Sequence, residues 1–327
     1  MIIQVLISFF IALAVTIGAG YVFIPLLRRL KAEQSIQENG PVWHNSKQGT
    51  PTMGGIIFIL GILIACYIAG ASEMRDRNFH HFFIFLFSFV FALVGFLDDY
   101  EKLKKKQNLG LTVLQKFSLQ LIVAVAFVII LDFTGSLTTN VYVPFFNTSF
   151  TVPAFLYYGF AAFVIVGTVN AVNITDGTDG LSTGVTIPVM IAFTVIAILW
   201  GDAVNGIFAA AVAGGLVGFL IFNFYPAKVF MGDTGSLFLG GAVCALAFSL
   251  DIPLILITLG IVYFIETLSV IIQVSYFKLS KGKRIFKMAP IHHHFEMCGW
   301  NEYKVFAVFT TVSVIFAAIS IFGVYQK

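Results

Sequence analysis

Charge is what this chain lacks: Asp, Glu, Lys and Arg make up 11% of its 327 residues, while 59% are hydrophobic. A soluble domain carries about a quarter charged residues, so water is excluded as the main solvent. The mean hydropathy of +0.95 points to lipid instead. Cysteine is nearly missing too. Cys66, Cys244 and Cys298 show no pair spacing, and the first two sit inside apolar runs, which argues against disulfides and a zinc knuckle. No repeat, low-complexity tract or soluble domain interrupts the pattern, so residues 1–327 form a single polytopic domain. The first apolar run has neither a basic leader nor a small-residue cleavage site, and is expected to be an anchor.

What is present is a series of apolar runs long enough for a hydrocarbon core of about 30 Å. Ten are expected, over residues 3–27, 53–70, 81–97, 113–131, 152–170, 181–200, 204–223, 236–250, 252–277 and 304–325. This predicts an all-α integral membrane protein. Of the nineteen Lys and Arg, sixteen fall on one side of this arrangement, among them Arg28, Lys31, Lys47, Lys102, Lys106, Lys116 and the run 278–287. Arg75, Arg77 and Lys327 fall on the other. Short basic loops stay in the cytoplasm, so the sixteen mark the cytoplasmic face and both termini are expected to be extracytoplasmic. The longest outer connection, 132–151, alternates around Tyr142, Val143 and Pro144, and predicts a small extracytoplasmic hairpin turning at Asn147, Thr148 and Ser149.

The scarce acidic residues gather on the basic side. Asp98 and Asp99 end the third run, ahead of Lys102 to Lys106. Neighbours on a helix point about 100° apart, so one of the two is expected to face a site and the other not. Asn173, Asp176 and Asp179 recur at steps of three beside Gly177 and Gly180. This pattern predicts a helix unwinding at the membrane boundary, where oxygen ligands suit a nucleotide or hydrated cation. The segment 223–241 runs from Asn223 through a stop at Pro226 and a glycine turn holding Asp233 to a new helix at Thr234 or Ser236. The free N–H groups of that helix predict a diphosphate site, with Asp233 as metal ligand and Phe230 placed to stack on a base.

In the last basic loop, His292, His293 and His294 stand in a row before Glu296. Three adjacent histidines cannot readily share one ion, whereas beside lysines they suit phosphate oxygens. Lys47 and Thr52, in the glycine-rich turn 43–55, and Lys116, before the fourth run, occupy the same face. Each such lysine is by default an interface anchor. Glu266 is the one acid deep in a run. A transporter would concentrate ionisable groups at midplane, so the surface location favours chemistry over transport.

TPTMGG at 50–55, the aspartate clusters and APIHHHFE at 289–296 together resemble the polyprenyl-phosphate N-acetylhexosamine-1-phosphate transferases over nearly the whole chain. The resemblance implies ten helices, a cytoplasmic cleft, Mg²⁺ dependence, a homodimer and a bent ninth helix beside a lipid groove. TPTMGG and the histidine run favour the members that transfer phospho-MurNAc-pentapeptide from UDP-MurNAc-pentapeptide to undecaprenyl phosphate in the bacterial plasma membrane, giving lipid I and UMP. The alternatives are a relative that uses UDP-GlcNAc and a non-enzymatic transporter of lipid precursors. The family pattern carries onto Lys47, Asp98, Asp99, Lys116, Asn173, Asp176, Asp179, Asn223, Asp233, His292 and His293, with Asp98, Asp99, Asp233 and His292 in catalytic roles.

Overall fold

The computed structural model describes residues 1–30, 47, 49–105, 107, 109–135 and 138–325; Lys31, Trp43, Lys106 and Lys327 lie outside them. In chain order the helices are α1 (Ile2–Arg29), α2 (Gly55–Ala69), α3 (Ala71–Arg75), α4 (His80–Lys105), α5 (Val113–Phe133), α6 (Ala154–Thr175), α7 (Leu181–Leu199), α8 (Ala203–Asn223), α9 (Gly232–Ser249), α10 (Leu256–Leu259), α11 (Ile261–Leu279), α12 (Ile291–Met297) and α13 (Glu302–Val324). Among the described residues, nine are long and apolar enough to cross a membrane, and α2 is a shorter apolar helix. Starts follow from caps: Thr112 and Gln115 form a capping box on α5, Asp202 caps α8 and Asn301 caps α13.

Helices α7, α8 and α9 are apolar on every side and form the centre, while α1, α5, α11 and α13 leave most of their surface facing outward. Helix α9 packs on α4, α6 and α2, and α8 on α1 and α7. At one end of the bundle Gln4 donates to Ser72, His80 lies 2.7 Å from Ser249, Thr138 donates to Asp251 and the Phe145 N–H reaches Gly323 O. The charged clusters occupy the other end.

Several boundaries differ from expectation, and α6 runs on to Thr175 rather than ending at 170. Helix α4 runs on to Lys105 because the ion pairs Lys102–Asp98 and Lys105–Glu101 extend it past its apolar stretch. Helix α9 begins at Gly232 rather than Thr234 or Ser236. The ninth run is not one helix: a 3-10 turn (Pro253–Ile255) leads into α10, and Gly260 breaks it from α11. In the hairpin, β1 (Asn140–Val143) pairs antiparallel with β2 (Thr148–Thr151), so the turn is Pro144 to Asn147 and Thr148 and Ser149 belong to a strand. Pro144 cannot donate to the ladder, and Asn147 takes the positive φ of 45° the turn requires.

Candidate active site

The start of α9 is capped by a residue from another helix. Asp99, buried on α4, accepts the N–H of Asp233 at 3.1 Å through one oxygen. Its other oxygen accepts the N–H and hydroxyl of Thr234 at 2.9 and 2.7 Å. The helix N–H groups expected to hold a diphosphate therefore already hold a carboxylate, which suits them equally because the helix start is electropositive. Gly232 makes room for it. Its φ is +67°, and a Cβ there would lie 2.6 Å from the Asp99 carboxylate and 2.8 Å from the buried Thr52 hydroxyl.

Capping by Asp99 turns Asp233 into the hub. One of its oxygens receives Lys116 at 2.7 Å and Lys102 at 2.8 Å, and the other receives Asn173 at 2.8 Å. Lys102 also pairs with Asp98 at 2.6 Å, and the Leu111 N–H donates to Asp98 at 2.8 Å. The expectation that only one of Asp98 and Asp99 faces the site is corrected. Ligand oxygens of Asp98, Asp99 and Asp233 lie within 4.8 Å of one another. Three carboxylates face two ammonium groups here, so with all five ionised the cluster has a residual negative charge that favours a cation. The donor set is all oxygen and fits a hard divalent ion.

A second cluster lies beside the first. Lys47 bridges Asp179 and Glu302 at 2.7 Å each, and Asp179 further accepts the Ala227 N–H at 2.8 Å. Asp179, which has no cation in its own loop, is thus paired from a distance. Burial works against the Lys47 charge, but these two carboxylates more than offset it and raise its pKa above the ordinary value. Asp176, at the end of α6, has its pKa pushed up to about 8 by burial and by the charges of Asp233, Asp99 and Asp179. It holds a proton through most of the neutral range.

Other expected ligands make contacts within the protein. Buried Asn223 accepts from Thr183 at 2.7 Å and donates to Val229 O at 3.0 Å, tying the end of α8 to α7 and to the loop before α9. The Phe230 backbone ties the 51–54 turn to the α8–α9 loop through bonds to Pro51 and Gly54. His292 is completely buried, 2.9 Å from Glu266, and cannot meet a phosphate from there. His293 pairs with Glu296 at 2.6 Å, and His294 faces Lys287 and Cys298, away from the carboxylates. Lys102, Glu302 and Glu266 are site residues that sequence reasoning did not assign. For Lys102 the signal was its spacing of four from Asp98; Glu302 gave none.

Carboxylates and half-buried lysines gathered at one end of a lipid-embedded helix bundle define a polytopic membrane protein with a charged site at the membrane surface. Comparison with known proteins makes the class definite. Residues 81–251 match the glycosyl transferase family 4 model, and residues 47–59 match signature 1 of phospho-N-acetylmuramoyl-pentapeptide-transferase. The chain belongs to glycosyl transferase family 4 and, within it, to the phospho-N-acetylmuramoyl-pentapeptide-transferases. The enzyme so named from Clostridium acetobutylicum is 48% identical, covering 97% of this chain and 96% of its own length. Those of Oceanobacillus iheyensis and Heliobacterium modesticaldum are 45% and 47% identical, covering 97% and 96% of this chain and the same shares of their own.

Proposed function

We propose that this protein transfers phospho-MurNAc-pentapeptide from UDP-MurNAc-pentapeptide to undecaprenyl phosphate, giving lipid I and UMP, at the cytoplasmic face of the bacterial plasma membrane with Mg²⁺ as cofactor. The observation that carries this reading is the convergence of Asp98, Asp99, Asp233, Lys102 and Lys116 from three helices, inside a chain matching these transferases from end to end.

The lipid phosphate is the nucleophile. Its second pKa of about 6 leaves it largely dianionic at neutral pH, so a strong base is not needed. An oxygen of that phosphate attacks the sugar-linked phosphorus in line, and the bond to the bridging oxygen breaks to release UMP. Asp99 is committed to the α9 start, so orienting the acceptor or taking its last proton falls to Asp98. Lys102 and Lys116 leave Asp233 to meet phosphate oxygens, and Lys47 supports the donor end with Asp176 and Asp179. Asp98, Asp99 and Asp233 would hold Mg²⁺, which when bound neutralises charge on the diphosphate and the departing UMP.

The test is UMP release by purified protein given both substrates and Mg²⁺, beside UDP-GlcNAc as rival donor and Asp233→Ala as control. Release from the MurNAc donor alone, lost in the variant, is expected. Turnover of UDP-GlcNAc instead overturns the reading.

A further inference from the structure

Helix α11 carries a buried polar stripe of Tyr263, Glu266, Ser269 and Gln273. Its ends have evident partners. The Tyr263 hydroxyl lies 2.7 Å from that of Thr186 on α7, and Gln273 accepts the N–H groups of Ile285 and Phe286 at 3.2 and 2.8 Å, holding the basic loop to α11. Glu266 is different. It is wholly buried, and its side chain meets His292 on α12, Oε2 to Nδ1 at 2.9 Å, while Oε1 has no partner among the described residues.

The far side of that ring points at the site. His292 Nε2 is buried, has no hydrogen-bond partner among the described residues, and lies against Gly177, where a methyl group would collide with it. Gly177 follows Asp176 and precedes Asp179, the residue that Lys47 grips. A carboxylate that accepts from Nδ1 fixes the proton there and leaves Nε2 as a bare acceptor. An acid deep in a membrane protein is costly unless it serves a partner, and the partner here is this imidazole.

We propose that Glu266 is a positioning residue for the transferase: it holds the His292 ring in the Nδ1–H form against Gly177 and so sets the 176–179 turn that supports the UDP-linked donor. This rests on the proposed function for the identity of the donor. Through the ring, α11 and α12 brace α6's unwound end, so a change at Glu266 acts on the donor and leaves the lipid acceptor alone.

Two variants and one spectrum test this. Glu266→Leu removes the acceptor while filling the space, and Glu266→Gln keeps an acceptor. For Glu266→Leu the KM for the nucleotide donor is expected to rise about ten-fold or more, as displaced positioning groups do, with the KM for undecaprenyl phosphate unchanged. Glu266→Gln restores most of the loss. Adding Glu266→Leu to His292→Gln should cost nothing further, because coupled residues are non-additive. A merely structural role would instead raise both KM values, and additive losses would show the two side chains uncoupled; either result overturns the proposal. Nitrogen NMR of histidine-labelled protein without substrate, with His292→Gln to assign the signal, should show a protonated Nδ1 and bare Nε2. A protonated Nε2 overturns the proposal even if the wild type releases no UMP, an outcome that would count against the donor assignment alone.

Discussion

Asp98 and Asp99 are neighbours with different duties, and this separates two kinds of loss. Asp99→Ala strips three hydrogen bonds from the start of α9. A lost cap costs about 1–2 kcal/mol, so this variant should melt earlier as well as turn over slowly. Asp98→Asn keeps the Leu111 contact, and should lose turnover with little change in melting temperature. Thermal melts of the purified variants beside kcat decide it; equal melting temperatures for the two would refute the capping role. Asp176 makes a second prediction, about pH. Its folded pKa of about 8 lies above the ordinary 3.8, so between those values the folded state binds the extra proton. Stability from this group is present below pH 4 and is lost as pH rises toward 8. In chelator-treated buffer, Asp176→Asn should flatten that decline, and an unchanged slope would remove Asp176 from the account.

Most membrane-spanning helices were legible as apolar runs, because a spanning segment must bury its own backbone and announces itself by length. The failures fall where side-chain chemistry takes over from hydropathy. Hydropathy ends the third run at residue 97, although the pairs Asp98–Lys102 and Glu101–Lys105, each four apart, continue α4. The ninth run, expected as one bent helix, breaks at Gly260, a position that apolarity alone does not mark. The aspartates were found from their clustering, but their partners were not. Lys47 meets Glu302 across 255 residues of sequence, and Glu266 meets His292 only once α11 and α12 pack. Asn223 shows how an apparent ligand becomes part of an element: it clamps the end of α8 to the loop that leads into α9. Asn223→Ala should destabilise the protein by about 1–3 kcal/mol, the cost of stranding buried partners. A loss of donor affinity at unchanged melting temperature would return it to the substrate site.

At the scale of the whole molecule, the two ends of the bundle differ in chemistry. One gathers the hairpin, the α2–α4 link and the first and last helical turns, and the other the clustered carboxylates and lysines. The proposed topology takes α2 as a tenth crossing, which would leave both termini on the hairpin's face and the basic loop 278–287 opposite. The proposed cytoplasmic location of that loop and the site rests on the positive-inside bias. The chain contains its own reporter for this orientation. Cys66 and Cys244 are buried, whereas Cys298, just after α12, is exposed. A buried thiol is inert to a charged reagent, so labelling reports Cys298 alone. A membrane-impermeant maleimide should modify the protein in inverted vesicles and not in intact spheroplasts, with Cys298→Ser abolishing the signal. Labelling confined to spheroplasts would place the charged end outside, where a nucleotide-linked donor made in the cytoplasm could not reach it.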